Sequence, residues 1–319
     1  MPHKILIAEF MDTPAVDALR AKFDVDYHPA YVQERAKLLA AVVNVRALIV
    51  RNMTQVNREV LDAAPKLRVV GRLGVGLDNI DMVLCRERGV TVFPATGANA
   101  LSVAEYVIGT AMVLLRGTYM ASTEVAQGAW PRARLMQGRE LAGKTLGLVG
   151  LGEIGRLTAK LAHAFGVRVI AHDPMLELDD PVWSVTGITS TPLDALLGEA
   201  DVVSLHVPLT DGTRNLLNPA RLKQMRKGAI LINTARGGIV DEDALAQALI
   251  DGNLGGAAID VYTREPVLAG SPLARIVTAG ITNLILTPHV AGVTSEANAR
   301  VSNMIAERMI KFFEKLPHC

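Results

Sequence analysis

The chain has 319 residues, of which 50% are hydrophobic and 20% are charged, and its formal net charge is +1. This length suggests two domains or one large one, and the apolar content is sufficient for a sizeable core. The near-zero charge and the lack of a basic block argue against a nucleic-acid partner. The longest apolar run, Tyr106 to Leu115, is too short to span a membrane, and the apolar run at the N-terminus is too short for a signal peptide.

The first part of the chain is predicted to alternate strands and helices. Lys4 to Ala8 has the composition of a buried strand, and Thr13 is expected to cap the following helix, with Pro14 in its first turn. Helices from about Gln33, around 56–63 and up to Arg88 separate further predicted strands, which lie near Val25 and at 47–50, 67–70 and 90–93. This alternation predicts a parallel, doubly wound sheet.

Two cysteines fall outside any recognisable site. Cys85 and Cys319 show no metal-ligand spacing, which fits a reducing compartment, and Cys85 is expected only to pack in the core. We therefore expect no bound metal, no membrane contact and a cytoplasmic location.

A long helix over 99–115, with Ser102 near its start, is expected to cross into a second α/β domain. The last stretch, 294–313, is predicted to be helical and to pack back on the first domain. The sequence thus predicts a substrate domain of residues 1–98 and 292–319 and a nucleotide-binding domain of residues 99–291. The crossings near Ala98 and Gly292 would provide a hinge for closure over a substrate.

The stretch from Lys144 to Asp173 has the pattern of a dinucleotide-binding βαβ unit. A buried strand at 145–149 precedes Gly150, Gly152 and Gly155, which form G-x-G-x-x-G, and a second apolar run at 167–171 ends at Asp173. Such glycines permit a tight turn, close approach of a pyrophosphate, and close packing of helix on strand. The alternative is a glycine-rich turn in another α/β protein. Apolar residues at helical spacing predict the intervening helix: Ile154, Leu157, Leu161 and Phe165.

Three polar residues each follow an apolar run in the second half of the chain, namely Arg236, Glu265 and His289. Ligands in open α/β sheets bind outside the carboxyl ends of the strands, so these side chains are candidates for the chemistry. Each also has an ordinary explanation as a surface arginine, a solvated loop residue or a helix-capping histidine.

The motifs NTARGGIVDEDAL, DVYTREP and TPHVAG closely resemble the three signatures of the D-isomer-specific 2-hydroxyacid dehydrogenases. VGLGEIG with Asp173, HVPLTDGTRNLLN and GRLGVGLDNID resemble further motifs of that family in the same order, and the resemblance runs from about residue 45 to residue 300. It implies a Rossmann domain inserted in a flavodoxin-like substrate domain, and it makes Arg236, Glu265 and His289 the catalytic residues. LIVRNMTQV followed by VVGRLGVGLDNID is most similar to the 3-phosphoglycerate dehydrogenase branch, in a short form without a regulatory domain.

Elementary chemistry agrees with these roles. Arg236 can bind the substrate carboxylate with its rigid fork of donors, and His289 can take or give the hydroxyl proton. Glu265 can orient the imidazole and favour its protonated form. NAD is favoured over NADP because Asp173 would bind the ribose hydroxyls and repel a 2′-phosphate, which Pro174 and Met175 offer no arginine to receive.

The resemblance also implies residues that bind the cofactor and the substrate. The loop Gly74, Val75 and Gly76 is placed against the substrate carboxylate, and Arg51 near a far phosphate. Three further arginines have two interpretations: they add positive charge to the site, across a subunit boundary for the cluster near Trp130, or they are ordinary solvated surface. They are Arg72 and the cluster Arg132 and Arg134. Besides the glycine motif with Glu153 and Ile154, the expected cofactor contacts are Asn99, Val103, His206, Val207, Pro208, Thr234, Ala235 and Asp260, with His206 as a wall residue.

The sequence therefore predicts an NAD-dependent oxidoreductase acting on a small, dianionic 2-hydroxy acid or 2-oxo acid resembling 3-phosphoglycerate. Sulfolactate dehydrogenase and glyoxylate or hydroxypyruvate reductase are the alternatives within this class. Glu265 argues against formate dehydrogenase, which pairs its histidine with glutamine. An alternative of another class is an NAD-sensing binding protein similar to the C-terminal-binding transcriptional corepressors. The resemblance implies a homodimer.

Overall fold

The computed structural model describes residues 3–315, so Cys319 lies outside the described part. The chain divides into two compact α/β units. The first contains the chain up to Asn99 together with the residues from Val293 onward, and the second runs from Ala100 to Gly292. Each unit is built on one parallel sheet, of five strands in the first and seven in the second.

The first unit alternates strands and helices from its beginning. Its sheet has the order β2-β1-β3-β4-β5, with every pairing parallel. The elements are β1 (Lys4–Ile7), α1 (Thr13–Arg20), β2 (Asp24–Tyr27), α2 (Arg35–Ala41), β3 (Ala47–Val50), α3 (Arg58–Ala63), β4 (Val69–Arg72), α4 (Met82–Glu87) and β5 (Thr91–Pro94), with short 3₁₀ helices at Pro29–Val32 and Val42–Asn44.

The second unit has the sheet order β12-β11-β10-β9-β6-β7-β8, again parallel throughout. Its elements are α5 (Ala100–Arg116), a 3₁₀ helix (Thr118–Ala121), α6 (Ser122–Ala126), α7 (Arg132–Leu135), β6 (Thr145–Val149), α8 (Glu153–Ala164), β7 (Arg168–His172), α9 (Pro181–Thr186), β8 (Thr189–Ser190), α10 (Leu193–Glu199), β9 (Val202–Leu205), α11 (Pro219–Gln224), β10 (Ala229–Asn233), α12 (Glu242–Ile250), β11 (Leu254–Ile259), α13 (Pro272–Thr278) and β12 (Leu284–Leu286). The C-terminal helix α14 (Ser295–Glu314) returns to the first unit.

Apolar side chains cover both faces of each sheet. In the first unit, α1 and α14 cover one face, where Ile5, Ile49 and Ile305 are fully buried. The opposite face packs against α2, α3 and α4, and Cys85 is buried there among aliphatic residues. Burial on both faces explains why β1 and β3 consist almost entirely of apolar residues.

Two local predictions were wrong. Asp12, not Thr13, is the N-cap of α1, because the N–H groups of Ala15 and Val16 both donate to the Asp12 carbonyl at 3.1 Å. Phe165 lies beyond the end of α8 and is 45% exposed. The buried face of α8 consists of small residues instead: Gly155, Thr158, Ala159 and Ala162.

Within residues 3–315, no single helix is long and apolar enough to cross a membrane. The segments Ala100–Arg116 and Thr118–Ala126 reach that length and hydropathy only when counted together, and they are bent by 67°.

Candidate active site

The glycine motif connects β6 to α8, and its three glycines serve different purposes. Gly150 has φ +97°, and a Cβ added to it would lie 2.7 Å from the His206 carbonyl oxygen. A Cβ on Gly155 would lie 2.5 Å from the Gly150 carbonyl oxygen, so the first and third glycines permit backbone packing. Gly152 has no atom within 4 Å of such a Cβ. The open space at Gly152, beside the N-terminus of α8, fits the pyrophosphate of a dinucleotide.

Asp173 follows β7 and is fixed by backbone donors from two loops. Its Oδ2 accepts from the Leu151 N–H at 2.8 Å, and its Oδ1 accepts from the Met175 N–H at 3.0 Å. Each carboxylate oxygen has two acceptor sites, so the group can still accept from ribose hydroxyls. The carboxylate is therefore held in place directly beside the glycine motif, which fits NAD.

His206 follows β9 and lies against the glycine turn. Its Nε2 is 3.0 Å from the Ser204 Oγ, and a Cβ on Gly155 would lie 3.9 Å from its ring. Burial lowers the pKa of His206 from 6.5 to about 4. The imidazole is therefore neutral at pH 7, which suits a wall of the site better than a proton donor. Val207 is half-buried beside it, and Pro208 is exposed.

The low pKa of His206 makes folding stability depend on pH. Between about pH 6.5 and pH 4 the unfolded chain binds a proton at this position and the folded chain does not, so stability falls as the pH falls. The loss attributable to His206 amounts to at most about 3 kcal/mol. We expect His206→Gln to lose less stability than the unmodified protein between pH 7 and pH 5, as measured by urea denaturation. Parallel losses in both proteins would contradict this expectation.

Arg236 lies in a turn after β10 that Asn233 stabilises. The Asn233 side chain is 2% exposed; its Nδ2 donates to the Arg236 carbonyl at 3.0 Å, and its Oδ1 accepts from the Ala235 N–H at 3.1 Å. The Arg236 Nη1 donates to the Ala235 carbonyl at 2.6 Å. A Cβ on Gly237 would lie 1.8 Å from the Tyr262 carbonyl oxygen, so only glycine allows this turn to approach the next loop. The sequence analysis did not identify the roles of Asn233 and Gly237.

Thr234 lies in the same turn and bears on cofactor binding. Its Oγ1 is buried without a hydrogen-bond partner among the described residues, and the same is true of the Asn99 Oδ1. Buried polar atoms are almost always satisfied, so an unsatisfied hydroxyl at the carboxyl end of a strand fits a ligand that supplies the partner. Val103, another expected contact, is buried in α5.

Glu265 and His289 form a pair in the structure. The His289 Nδ1 is 2.8 Å from the Glu265 Oε2, and both side chains are a little over one-third exposed. The Glu265 Oε1 accepts from the Tyr262 N–H at 3.1 Å. Burial acts to raise the pKa of Glu265, but the hydrogen bond and charge of His289, the Tyr262 N–H and the charge of Arg236 together lower it. Glu265 is therefore a stable anion at neutral pH.

Asp260 holds the loop that carries His289. Its carboxylate, in a residue that is 1% exposed, accepts from the Thr287 hydroxyl at 2.6 Å and from the N–H groups of Val290 and Ala291 at 2.8 and 2.9 Å. The His289 N–H donates to the Asp260 carbonyl at 2.9 Å, and His289 itself has φ +58°. The carboxylate is thus used within the chain, and its expected contact with the cofactor stays a prediction.

This hydrogen-bond network extends further than the motifs indicated. The Tyr106 hydroxyl, on α5, is 2.7 Å from the Thr287 Oγ1. The Tyr262 hydroxyl lies 2.9 Å from the carbonyls of Ile259 and Thr287 and can donate to either. The loop of His289 is therefore tied to α5 and β11, which restricts where the imidazole can lie.

In the first unit, the carboxyl ends of β3 and β4 are adjacent, since Val50 pairs in register with Arg72. Arg51 follows β3, and the loop Gly74, Val75 and Gly76 follows β4, so both lie at this edge of the sheet. Gly74 has φ +153°, and a Cβ there would clash with the Arg72 guanidinium at 1.5 Å. Burial lowers the pKa of Arg51, against the opposing charge of Glu9.

The two arginines near Trp130 are exposed. Arg134 forms an ion pair with Glu124 at 2.5 Å, and Arg132 is exposed at the start of α7. Exposure in a single chain fits both interpretations of these two arginines, ordinary surface and a contribution across a subunit boundary. Among residues 3–315, no group of three or more His, Cys, Asp or Glu side chains could hold a metal ion.

One unit thus contains the glycine motif with Asp173, an arginine and a Glu–His pair, which are the features expected of an NAD-dependent dehydrogenase. Residues 108–291 match the family model described as the D-isomer-specific 2-hydroxyacid dehydrogenase, NAD-binding domain. The chain belongs to this family, as its motifs predicted, and it is an oxidoreductase that uses NAD.

Individual relatives agree with this assignment. The chain is 52% identical over 298 residues to the (S)-sulfolactate dehydrogenase of Chromohalobacter salexigens, covering 93% of this chain and 94% of that one. It is 37% identical over 314 residues to the D-3-phosphoglycerate dehydrogenase of Archaeoglobus fulgidus, covering 98% of this chain and 58% of that one. The structure of D-lactate dehydrogenase from Aquifex aeolicus, complexed with NAD and lactic acid, has a TM-score of 0.83 at 27% identity, with 98% of this chain and 96% of that one covered.

Proposed function

We propose that the substrate is a small 2-hydroxy acid with a second anionic group, sulfolactate ahead of 3-phosphoglycerate. The observation that carries this proposal is Arg51, a half-buried guanidinium whose side-chain hydrogen-bond partner is the neutral amide of Asn298. An arginine that is desolvated without an anionic partner is suited to an anion that arrives with the substrate. The higher identity to a sulfolactate enzyme than to a phosphoglycerate enzyme supports this order, which reverses that of the sequence analysis.

The remaining roles follow from the chemistry of the oxidised carbon. Arg236 binds the carboxylate beside this carbon and polarises the neighbouring oxygen. His289 takes the hydroxyl proton in oxidation and returns it in reduction, and Glu265 fixes the imidazole through its Nδ1, which leaves Nε2 for the substrate. Bound NAD supplies the hydride acceptor, and Asp173, the glycine turn and Thr234 hold it. From the family resemblance, we also assign the backbone of Gly74, Val75 and Gly76 to substrate binding.

The stereochemical label of the relative is compatible with a D-specific family. The R or S label depends on the priority order of the substituents, and in lactate and 3-phosphoglycerate the carboxylate has higher priority than the terminal carbon. In sulfolactate the sulfur gives the terminal carbon a higher priority than the carboxylate, so the R or S label is inverted although the spatial arrangement is the same. (S)-Sulfolactate and D-lactate therefore have the same spatial arrangement, and one site can oxidise both from the same face.

The test is a substrate panel assayed by NADH absorbance. We expect kcat/KM to be highest for sulfolactate, next for 3-phosphoglycerate, and lower for glycerate, glycolate and lactate, because only the first two offer Arg51 an anion. One charge-assisted hydrogen bond corresponds to a preference of about 10- to 150-fold. A preference for lactate or glycolate would refute the dianion proposal, and hydroxypyruvate or glyoxylate as the best oxo acid would favour the reductase alternative.

We also propose a homodimer located in the cytoplasm. Large apolar side chains are exposed over 119–136, with Trp130 at 78% and Met136 at 72% exposure. A second copy of the chain would cover this surface, in line with the family resemblance. Sedimentation at the mass of one 34.1 kDa chain would exclude the dimer.

The proposed cytoplasmic location has a separate test. Activity recovered only outside the soluble cell fraction would exclude a cytoplasmic location.

A further inference from the structure

The guanidinium of Arg51 is held by a residue from the far end of the chain. Its Nη2 donates to the Asn298 Oδ1 at 2.7 Å, and Asn298 lies in the first turns of α14. Among residues 3–315, no aspartate or glutamate forms an ion pair with Arg51. The arginine is therefore oriented by a neutral partner and keeps its full positive charge.

A carboxylate is close by, but the fold uses it elsewhere. The Glu9 side chain is buried, and its carboxylate accepts from the backbone N–H groups of Arg51 and Thr54 at 2.8 and 2.9 Å and of Met53 at 3.4 Å. Glu9 therefore fixes the backbone of the loop 51–54 instead of pairing with the guanidinium.

The carbonyl side of the same loop is also fixed. The Asn79 Nδ2 donates to the carbonyls of Arg51 and Thr54 at 2.9 and 2.7 Å. Because Glu9 and Asn79 hold the main chain, the loop does not need the Arg51 side chain for its own conformation.

An aromatic ring gives the guanidinium a second support. The Arg51 Cζ lies 5.7 Å from the centroid of the Phe10 ring, and Phe10 is 49% exposed. A cation–π contact restricts the guanidinium without cancelling its charge. Phe10 and Asn298 thus hold the same charged group, and neither neutralises it.

The amide of Asn298 has a fixed orientation, because arginine can only donate and the amide oxygen must therefore face it. Its Nδ2 then points away from Arg51 and has no hydrogen-bond partner within the described chain. The two side chains together offer several N–H donors, and the nearby carboxylate of Glu9 is occupied by backbone N–H groups.

We propose that Asn298 determines specificity for dianionic substrates: it holds Arg51 in place without neutralising it, so that the guanidinium remains available to a terminal sulfonate or phosphate. This inference rests on the proposed function and adds to it a residue that no family signature of the chain contains. An aspartate at the same position would hold the guanidinium equally well but would neutralise it and repel the substrate's anion.

Asn298→Asp is therefore the decisive variant, because it changes charge with almost no change in shape. We expect its KM for sulfolactate and 3-phosphoglycerate to rise about 10- to 100-fold, which is the scale of one charge-assisted contact. The KM for lactate and glycolate, and kcat on every substrate, should stay close to the unmodified values. Asn298→Ala, which frees the guanidinium without neutralising it, should give a smaller rise confined to the dianions.

The matched control is Asn303→Asp, which makes the same chemical change at an exposed position of the same helix. It should leave all kinetic constants unchanged. Circular dichroism and NAD titration of each purified variant would establish that the fold and the cofactor site are retained. Increasing salt should diminish the preference for dianions in the unmodified protein and have little effect on Asn298→Asp.

The outcomes separate this inference from the proposed function. If Arg51→Ala abolishes the preference for dianions but Asn298→Asp does not, Asn298 has only a structural role and the substrate proposal stands. If Arg51→Ala leaves the preference unchanged, Arg51 does not bind the second anion and the inference fails, whereas the substrate proposal is decided by the substrate panel of the unmodified protein. Equal effects of Asn298→Asp and Asn303→Asp would show an unspecific response to helix charge and would overturn the inference.

Discussion

Replacing His289 with Asn is expected to lower kcat by about 10²- to 10⁴-fold on every substrate, the usual contribution of a positioned general acid or base. Asparagine can still hydrogen-bond to Glu265 but cannot exchange a proton with the substrate. NAD affinity should not change, because the proposed cofactor contacts at the glycine turn and Asp173 lie outside this loop. Steady-state rates in both directions, combined with NADH fluorescence titration, would measure the two quantities separately.

The variant Glu265→Gln tests whether the charge of Glu265 favours the protonated form of His289. The carboxylate lies 2.8 Å from the His289 Nδ1 and stabilises the protonated imidazole. The pKa of Glu265 itself is lowered, so the carboxylate is charged at neutral pH. Glutamine removes that charge, and the pH midpoint of oxo-acid reduction should move to lower pH.

The direction of the shift in the pH midpoint distinguishes an electrostatic effect of Glu265 on His289 from a general loss of activity. Reduction needs protonated His289 and should lose activity first at high pH, whereas oxidation needs the neutral ring and should extend to lower pH. If Glu265→Gln lowered both rates equally at every pH, the pairing would serve geometry alone. An active His289→Asn enzyme would remove the histidine from the mechanism altogether.

The parts of this site that could be predicted from sequence are those with a local cause. Gly150 and Gly155 are recognisable because their spacing reflects one turn and one helix, and the structure gives each a close backbone neighbour. Arg236, Glu265 and His289 could be proposed because each follows an apolar strand in the sequence. Signals of this kind lie within about ten residues and do not depend on how distant segments pack.

Contacts between distant segments could not be predicted in this way. Asn298 is 247 residues from Arg51, and Tyr106 is 181 residues from Thr287. Periodicity places each on a helix but cannot show which side chain it meets. Thr13 shows that short-range predictions can fail as well. Threonine is a common N-cap residue, but the first N–H groups of α1 donate to the carbonyl of Asp12, so the helix begins one residue earlier than predicted from the cap.

Arg51→Ala and Arg236→Ala are expected to change different kinetic constants. Arg51→Ala is expected to raise KM for sulfolactate and 3-phosphoglycerate by about 10- to 150-fold relative to lactate and glycolate, because one charge-assisted contact of roughly 1.5–3 kcal/mol is lost. Arg236→Ala should instead lower kcat on every substrate, by about 10²- to 10³-fold, because it acts on the oxygen where charge develops. Initial rates over the same panel of hydroxy acids would measure both effects.

Arg51→Ala is a clean test because the loop is held through its main chain. The bonds from the Arg51 N–H to Glu9 and from Asn79 to the Arg51 carbonyl are retained when the side chain is removed. Arg58→Ala, at an exposed position of the same unit, controls for the loss of one positive charge. If Arg51→Ala slowed all substrates equally, its guanidinium would act through structure or overall charge and not on a second anion. If neither arginine variant distinguished dianions from monoanions, the terminal anion would have to be recognised by donors other than Arg51.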